Sequence, residues 1–381
     1  MPEQAVRVLI IDDSALVRQA MQEVLESDPE IEVIASARDP FAAANRLRSR
    51  RPDVIAFGVQ PPSLDANAFL KELLATTPIP VVMCSDLTSR GSARAMEGMD
   101  AGAIEMIERP RTAAKLLLQE ARLRICEAVK SAAKARIGPR APGNRPAAAA
   151  DWPRESLEKY TADVILPPPL PRAAFAPTER IILVGASTGG TEAIRDLLAR
   201  MPADTPGIVM VQHMPEKFTA AFAQRLDQTA PMQVKEAAHN DVVRPGLALL
   251  APGNRHAVLR RIGARYHVEL RDGPLVSRHR PSVDVLFRSG AVCAGPNSVG
   301  VILTGMGDDG ATGMLELKQS GAYTIAQDER TCVVFGMPQV AIKKGGVDVV
   351  KPLAGIAEVA LKAARYSPRP WLQEAPSRVP S

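Results

Sequence analysis

Three short stretches carry residues that could open an ester or an amide. The first, IILVGASTGG from Ile181 to Gly190, is a block of apolar β-formers that ends abruptly in small residues around one serine, Ser187. The helix-like TEAIRDLLARM follows it, so the stretch describes a strand turning sharply into a helix. Such a turn lifts one side chain clear of a sheet's carboxyl edge, where α/β proteins place their chemistry. A serine there is a nucleophile if a base reaches it, and the flanking glycines leave room for substrate and for backbone N–H donors. The same pattern fits a phosphate-binding turn or a plain structural turn. The second stretch, VMVQHMP, puts His213 directly after an apolar strand, and the third, LTGMGDDG, puts Asp308 and Asp309 in a glycine-rich turn before a helix. Taken singly, the histidine also reads as a satisfied structural residue and the aspartates as helix caps. Together, a serine, a histidine and an aspartate at three strand ends are the parts of acyl transfer: one attacks a carbonyl, one takes the proton, one orients the imidazole. The turn GMG would also expose backbone N–H groups to an oxyanion.

The order Ser, His, Asp counts against the α/β-hydrolases, which share G-x-S-x-G but run serine, acid, histidine. A dinucleotide site is also disfavoured. GASTGG lacks the G-x-G-x-x-G spacing, and no acidic residue closes the second strand near residue 210.

The elements that must position these residues follow from the alternation of short apolar runs with helical periods. After Ile181 the alternation predicts a mostly parallel sheet with helices on its faces, and the stretch 234–271 reads as antiparallel hairpins inserted between parallel units. Before it, residues 6–130 contain five strand-then-helix repeats, which predict a doubly wound, parallel five-stranded sheet. The first of these strands ends in Asp12 and Asp13, where paired carboxylates hold Mg²⁺ against a phosphate or, more simply, Asp13 or Ser14 caps the next helix. Residues 131–178, rich in proline and alanine, read as an extended connector, with a short helix near 153–160 opened by Pro153 and capped by Asp151. The expected organisation is an α/β chain with a first domain over 1–130, a linker over 131–178, a second domain over 179–366 and a proline-rich tail over 367–381.

Composition narrows the function classes. The chain has 381 residues, 46% of them hydrophobic, enough for a core in each of two or three domains. No run of about 18 apolar residues occurs and the amino terminus lacks a signal-peptide design, so a cytoplasmic protein without membrane insertion is expected. Four scattered cysteines without a CxxC pair argue for reduced thiols, against both disulfides and a zinc cluster. A net charge of +5 with dispersed basic residues and 4% aromatics gives nucleic-acid binding little support.

The first domain resembles the receiver domain of bacterial two-component systems. Asp12 and Asp13 match that family's acidic pair, and Ser85 matches the hydroxyl closing its fourth strand. Two positions depart from it. The third strand, DVIAFGV, has Gly58 where the phosphate-accepting aspartate belongs, and the fifth, IEMIERP, has Arg109 in place of the lysine. Glycine offers nothing to phosphorylate, and the planar guanidinium presents charge differently from a compact ammonium. The receiver fold is expected, phosphorylation by the usual route is not, and no metal is expected, with residual Mg²⁺ binding by Asp12 and Asp13 left open.

The second domain resembles the chemotaxis-type protein-glutamate methylesterases, the CheB family. The matching blocks are GASTGGTEAI, VQHMPEKFTAAFAQRLD, LAPGNRH, RHRPSVDVLFRS, GVILTGMGDDGATGM and AQDERTCVVFGMPQVAI. The resemblance implies Ser187 as nucleophile, His213 as base, Asp309 as orienter and the Met306 backbone N–H as part of the oxyanion hole. Thr188, His279 and Arg280 are its candidates for the substrate cleft, whereas His256 reads as structural and His239 and His267 as surface or hairpin residues. It further implies hydrolysis of γ-glutamyl methyl esters on chemoreceptors or related sensors, with glutamine deamidation, no cofactor, and contact with a histidine kinase. In that family the unphosphorylated receiver covers the active site. Without an acceptor, the site is expected either to stand open or to be governed by a partner docking on the receiver. The rivals are a non-enzymatic adaptor that binds sensors or the kinase, and an esterase of small molecules.

Overall fold

The computed structural model describes residues 5–39, 42–43, 51–58, 70–71, 74, 78–86, 88–110, 115–136, 159–170, 175 and 178–365. The expected helix near 153–160 and the tail at 367–381 lie outside the described residues, apart from Lys159 and Tyr160.

The amino-terminal domain is built on β1 (Val6–Ile11), β2 (Ile31–Ala37), β3 (Val54–Gly58), β4 (Val81–Ser85) and β5 (Glu105–Glu108), paired in parallel in the order β2-β1-β3-β4-β5. Strands β3 and β4 are buried at every position, as expected of strands covered by helices on both faces. The last helix, Lys115–Ala133, runs slightly past the expected boundary at 130.

The second sheet contains β6 (Ile181–Ala186), β7 (Ile208–Gln212), β8 (Gln233–Glu236), β10 (Leu247–Leu250), β13 (Ser298–Ile302), β14 (Tyr323–Gln327) and β15 (Val349–Lys351), in the order β15-β14-β13-β6-β7-β10-β8. Every pairing in it is parallel. Its three central strands are therefore β13, β6 and β7, whose carboxyl ends lead to Asp309, Ser187 and His213. A separate antiparallel sheet, β11-β12-β9, is formed by β9 (Asp241–Val243), β11 (His256–Ile262) and β12 (Arg265–Arg271).

The hairpin expectation for 234–271 thus holds for β9, β11 and β12 and is corrected for Val234–Glu236 of β8 and for Leu247–Leu250, which pair in parallel. All four residues of LALL are buried, and a continuous apolar run covered on both faces belongs to the parallel sheet. Residues 159–170 fall in the stretch read as connector, yet they pack: Ala162 and Leu166 are buried with Val258, Val276 and Val285. One apolar cluster runs from Met96 and Met99 of the first domain to Phe222 and Leu226 of the second.

Candidate active site

The nucleophile candidate is fixed by its backbone. Ser187 N–H donates to the Thr304 carbonyl (3.0 Å), and the Ser187 carbonyl accepts from the Gln212 side chain (2.9 Å), which also reaches the His213 carbonyl (3.2 Å). Gln212, at the end of β7 and 1% exposed, ties two strand ends together. Gly189 begins the helix Gly190–Ala199 at φ 76°, a left-handed conformation that a side chain would strain. Ser187 itself is 8% exposed, and its hydroxyl makes no hydrogen bond among the described residues, His213 included.

His213 Nε2 lies 2.8 Å from Asp309 Oδ2, while its Nδ1 is buried without a partner. A second imidazole, His279, stacks on this ring with centroids 3.6 Å apart and planes 12° from parallel. Desolvation, and then the neighbouring charge of His213, push His279 well below the usual histidine range. It therefore stacks as a neutral ring.

Asp309 is held from all sides. Besides His213, it accepts hydrogen bonds from the Ser282 hydroxyl (2.8 Å), Val283 N–H (2.7 Å) and Asp284 N–H (2.9 Å). These come from the first turn of the helix Val283–Cys293, whose unpaired N–H groups and dipole favour an anion. Burial works against the carboxylate, but hydrogen bonding to His213, the charge of His213 and the Asp284 N–H override it, and its pKa falls to about 2. Asp284 goes the other way: burial, with Asp309 beside it, lifts its carboxyl to about 7. Asp308 does not enter this network and pairs with Lys159.

The turn Gly305–Gly307 presses directly on the serine. A Cβ at Gly305 would sit 2.8 Å from Ser187 Cβ, so only glycine permits the approach. The Met306 N–H beside it donates to no acceptor among the described residues, as an oxyanion donor requires before substrate arrives.

Thr188 and Arg280, candidates for the cleft, contact the first domain. The Thr188 hydroxyl accepts from Ser131 and donates to Glu105 Oε2, both at 2.7 Å. Arg280 bonds Asn254 and the Gly273 carbonyl and lies 3.4 Å from Glu120, while Arg278 pairs with Glu127 at 2.8 Å. Gly189 N–H donates to the Ile104 carbonyl. The first domain thus lies against the serine loop, with acidic residues along Lys115–Ala133 meeting arginines beside the histidines; of the two alternatives expected, this contact departs from the open site and leaves the partner-governed one. His256 is structural, its ring bonded to the Pro274 carbonyl and Ser282 N–H. His267 and His239 bond the Asn240 carbonyl and Leu270 N–H around β12.

Glu105 makes this contact sensitive to pH. Burial lifts its carboxyl to about 7 from the ordinary 4.5. Docked, it holds its proton more tightly than when free, so the Glu105 contribution to docking is full below 4.5 and is lost as pH rises toward 7, levelling off beyond. Glu127, also raised by burial, acts in the same sense. Hydrogen-exchange protection of the serine loop is expected to fall over that window and to vary less in Glu105→Gln; a flat profile in the native chain would contradict the linkage.

In the first domain, Arg109 Nη2 lies 2.8 Å from Asp12 Oδ2 and 3.5 Å from Asp13 Oδ1. A Cβ on Gly58 would fall 1.8 Å from Asp12 Oδ2, so the Asp12 carboxyl fills the space where an acceptor side chain would begin. Burial raises Asp12 to about 6 against the pull of Arg109. These residues do not fit Mg²⁺. The third carboxylate is missing, and the pair's counter-charge is already supplied by the guanidinium. Ser14, not Asp13, caps the following helix, and Ser85 is buried at the end of β4.

Residues unmarked in the sequence reading are Gln212, Ser282, Glu105 and Ser131. Ser282 had a local signal, a serine capping the apolar helix that begins SVDVLF. The others act across long sequence separations and had none.

Residues 182–360 match the CheB methylesterase family and residues 8–120 the response regulator receiver domain. A protein-glutamate methylesterase/protein-glutamine glutaminase of Geobacter metallireducens is 57% identical over 94% of this chain and 98% of its own. One of Anaeromyxobacter dehalogenans is 57% identical over 94% of this chain and 97% of its own. The solved Thermotoga maritima CheB methylesterase catalytic domain is 37% identical, spans 49% of this chain and 99% of its own, and superposes with a TM-score of 0.47. No helix among the described residues is long and apolar enough to cross a membrane.

Proposed function

The chain belongs to the CheB methylesterase family, a receiver domain followed by a methylesterase domain, and from that premise we propose that Ser187, His213 and Asp309 hydrolyse γ-glutamyl methyl esters on chemoreceptors or related sensors. The observation that carries the reading is the 2.8 Å contact of His213 with a buried, low-pKa Asp309 at the strand end next to Ser187. Asp309 holds the proton on Nε2 and leaves Nδ1 as the base. Ser187 Oγ attacks the γ-carbonyl as its proton passes to Nδ1, and the oxyanion forms at the Met306 N–H. Collapse breaks the C–O bond to methoxide, which takes that proton and leaves as methanol. Water, activated by the same nitrogen, then cleaves the acyl-serine and restores both groups. With a glutamine side chain the same steps expel ammonia, the second activity in the relatives' names. The test is methanol release, measured directly, from a methylated receptor cytoplasmic fragment incubated with the full chain. No release above the blank would reject the reading.

The same premise extends to control. The Arg109–Asp12 pair and Gly58 support a receiver that rests against the methylesterase domain without taking a phosphoryl group. A partner binding the receiver, of which the histidine kinase is one candidate, would then move it. Incubation with a phosphorylated cognate kinase is expected to leave residues 1–130 unlabelled; stable label there would contradict this.

A further inference from the structure

Apart from the strand ends, the groups that orient His213 and Asp309 come from one stretch, residues 276–284. It opens with a tight turn closed in both directions, Val276 N–H to the His279 carbonyl (3.0 Å) and His279 N–H to the Val276 carbonyl (2.8 Å). Ser277 and Arg278 within it have φ 48° and 69°. Left-handed conformations are costly for residues that carry side chains and persist only where the surroundings hold them.

Besides the Arg278–Glu127 pair and the Ser277 hydroxyl bond to Asp284 Oδ2, what holds this turn lies in the segment read as connector. The Tyr160 carbonyl accepts Ser277 N–H at 2.9 Å, and Lys159 pairs with Asp308, next in sequence to Asp309. Ala162 and Leu166, 3% and 7% exposed, are buried against Val276 and its neighbours Val258 and Val285. Asp163 pairs with the buried Arg288 at 2.6 Å, fastening the segment to the helix whose first turn binds Asp309. Backbone, charge and apolar contacts thus converge on the base of the turn that carries His279.

We propose that residues 159–166 are a positioning strap of the methylesterase domain: they clamp the turn Val276–His279, hold His279 stacked on His213, and so keep the imidazole aligned between Asp309 and Ser187. The strap rests on the hydrolytic reading of the site. It divides the linker functionally, since residues 159–166 belong to the active-site framework.

The test uses full-length chains carrying Leu166→Ala, Leu166→Met or Ala162→Asp. It reads kcat and KM on a small ester, the rate at which a fluorophosphonate labels Ser187, and the melting temperature. Loosening the strap misaligns reacting groups without touching the chemistry. Leu166→Ala and Ala162→Asp are therefore expected to lower kcat and labelling about tenfold at unchanged KM, and to lower the melting temperature through the lost apolar burial. Leu166→Met, which refills the apolar volume, restores both kcat and labelling. Unchanged or faster labelling in Leu166→Ala and Ala162→Asp overturns the strap, and so does a loss that Leu166→Met fails to restore. A native chain that neither labels at Ser187 nor hydrolyses the ester overturns the reading of the site and the strap with it, whereas failure of the strap alone leaves that reading standing.

Discussion

Ser187→Ala is expected to lower kcat for methanol release by on the order of 10⁶-fold with little change in stability. Both halves follow from how the residue is held. Its hydroxyl makes no hydrogen bond among the described residues, so removing it orphans no buried partner. Its N–H and carbonyl bonds to Thr304 and Gln212 persist in alanine, and the loop keeps its shape. What disappears is the hydroxyl oxygen that the proposed mechanism uses as nucleophile. The check is methanol release beside a melting curve. A variant that melts like the native chain and still releases methanol at a comparable rate would remove Ser187 from the mechanism.

Asp309→Asn is the next largest expected effect, a loss in kcat of about 10⁴-fold. The carboxylate accepts four hydrogen bonds and keeps the His213 proton on Nε2. An amide has one oxygen where the carboxylate has two. Its NH₂ must take either the Oδ1 place, where it faces the Ser282 hydroxyl and Asp284 N–H, or the Oδ2 place, where it faces Val283 N–H and holds the His213 imidazole in the wrong tautomer. Stability falls as well, by about 1–3 kcal/mol for each buried donor left unpaired. The sign with pH is fixed by the depressed pKa: the Asp309 contribution is full above the unfolded value of 3.8 and is lost as pH falls toward about 2. Denaturant midpoints measured from pH 7 to pH 2 should show the native chain losing more stability over that acid window than Asp309→Asn. Parallel curves would contradict the assignment.

The three candidate strand ends were legible because their signals are local. An apolar run ending in small or polar residues marks a carboxyl edge, and IILVGAST, VMVQH and VILTGMGDD each carry that signal. Strand order was not legible, yet it alone makes the three ends neighbours. The misreading of LALL has the same origin, since four buried residues look alike in a hairpin and in a covered parallel strand. Contacts between distant segments left no trace in periodicity. Thr188 meets Glu105 across 83 positions and Asp309 meets Ser282 across 27. The replacement of lysine by Arg109 was visible, but its meaning was not. In sequence it is a poor substitute for an ammonium; in the fold it is the counter-ion that closes the acidic pair. The strap was missed for a related reason. Proline and alanine dominate 131–178, and that composition hid the few residues, Ala162, Asp163 and Leu166, that dock.

The most direct test of the central claim is to trap the acyl-enzyme. The full chain would be mixed with a methylated receptor fragment, quenched in acid during turnover, digested, and analysed by mass spectrometry for a γ-glutamyl ester on the peptide containing Ser187. The expected result is that adduct on Ser187, absent in Ser187→Ala. Continued methanol release with the adduct on another residue, or with Ser187→Ala turning over normally, would contradict the claim.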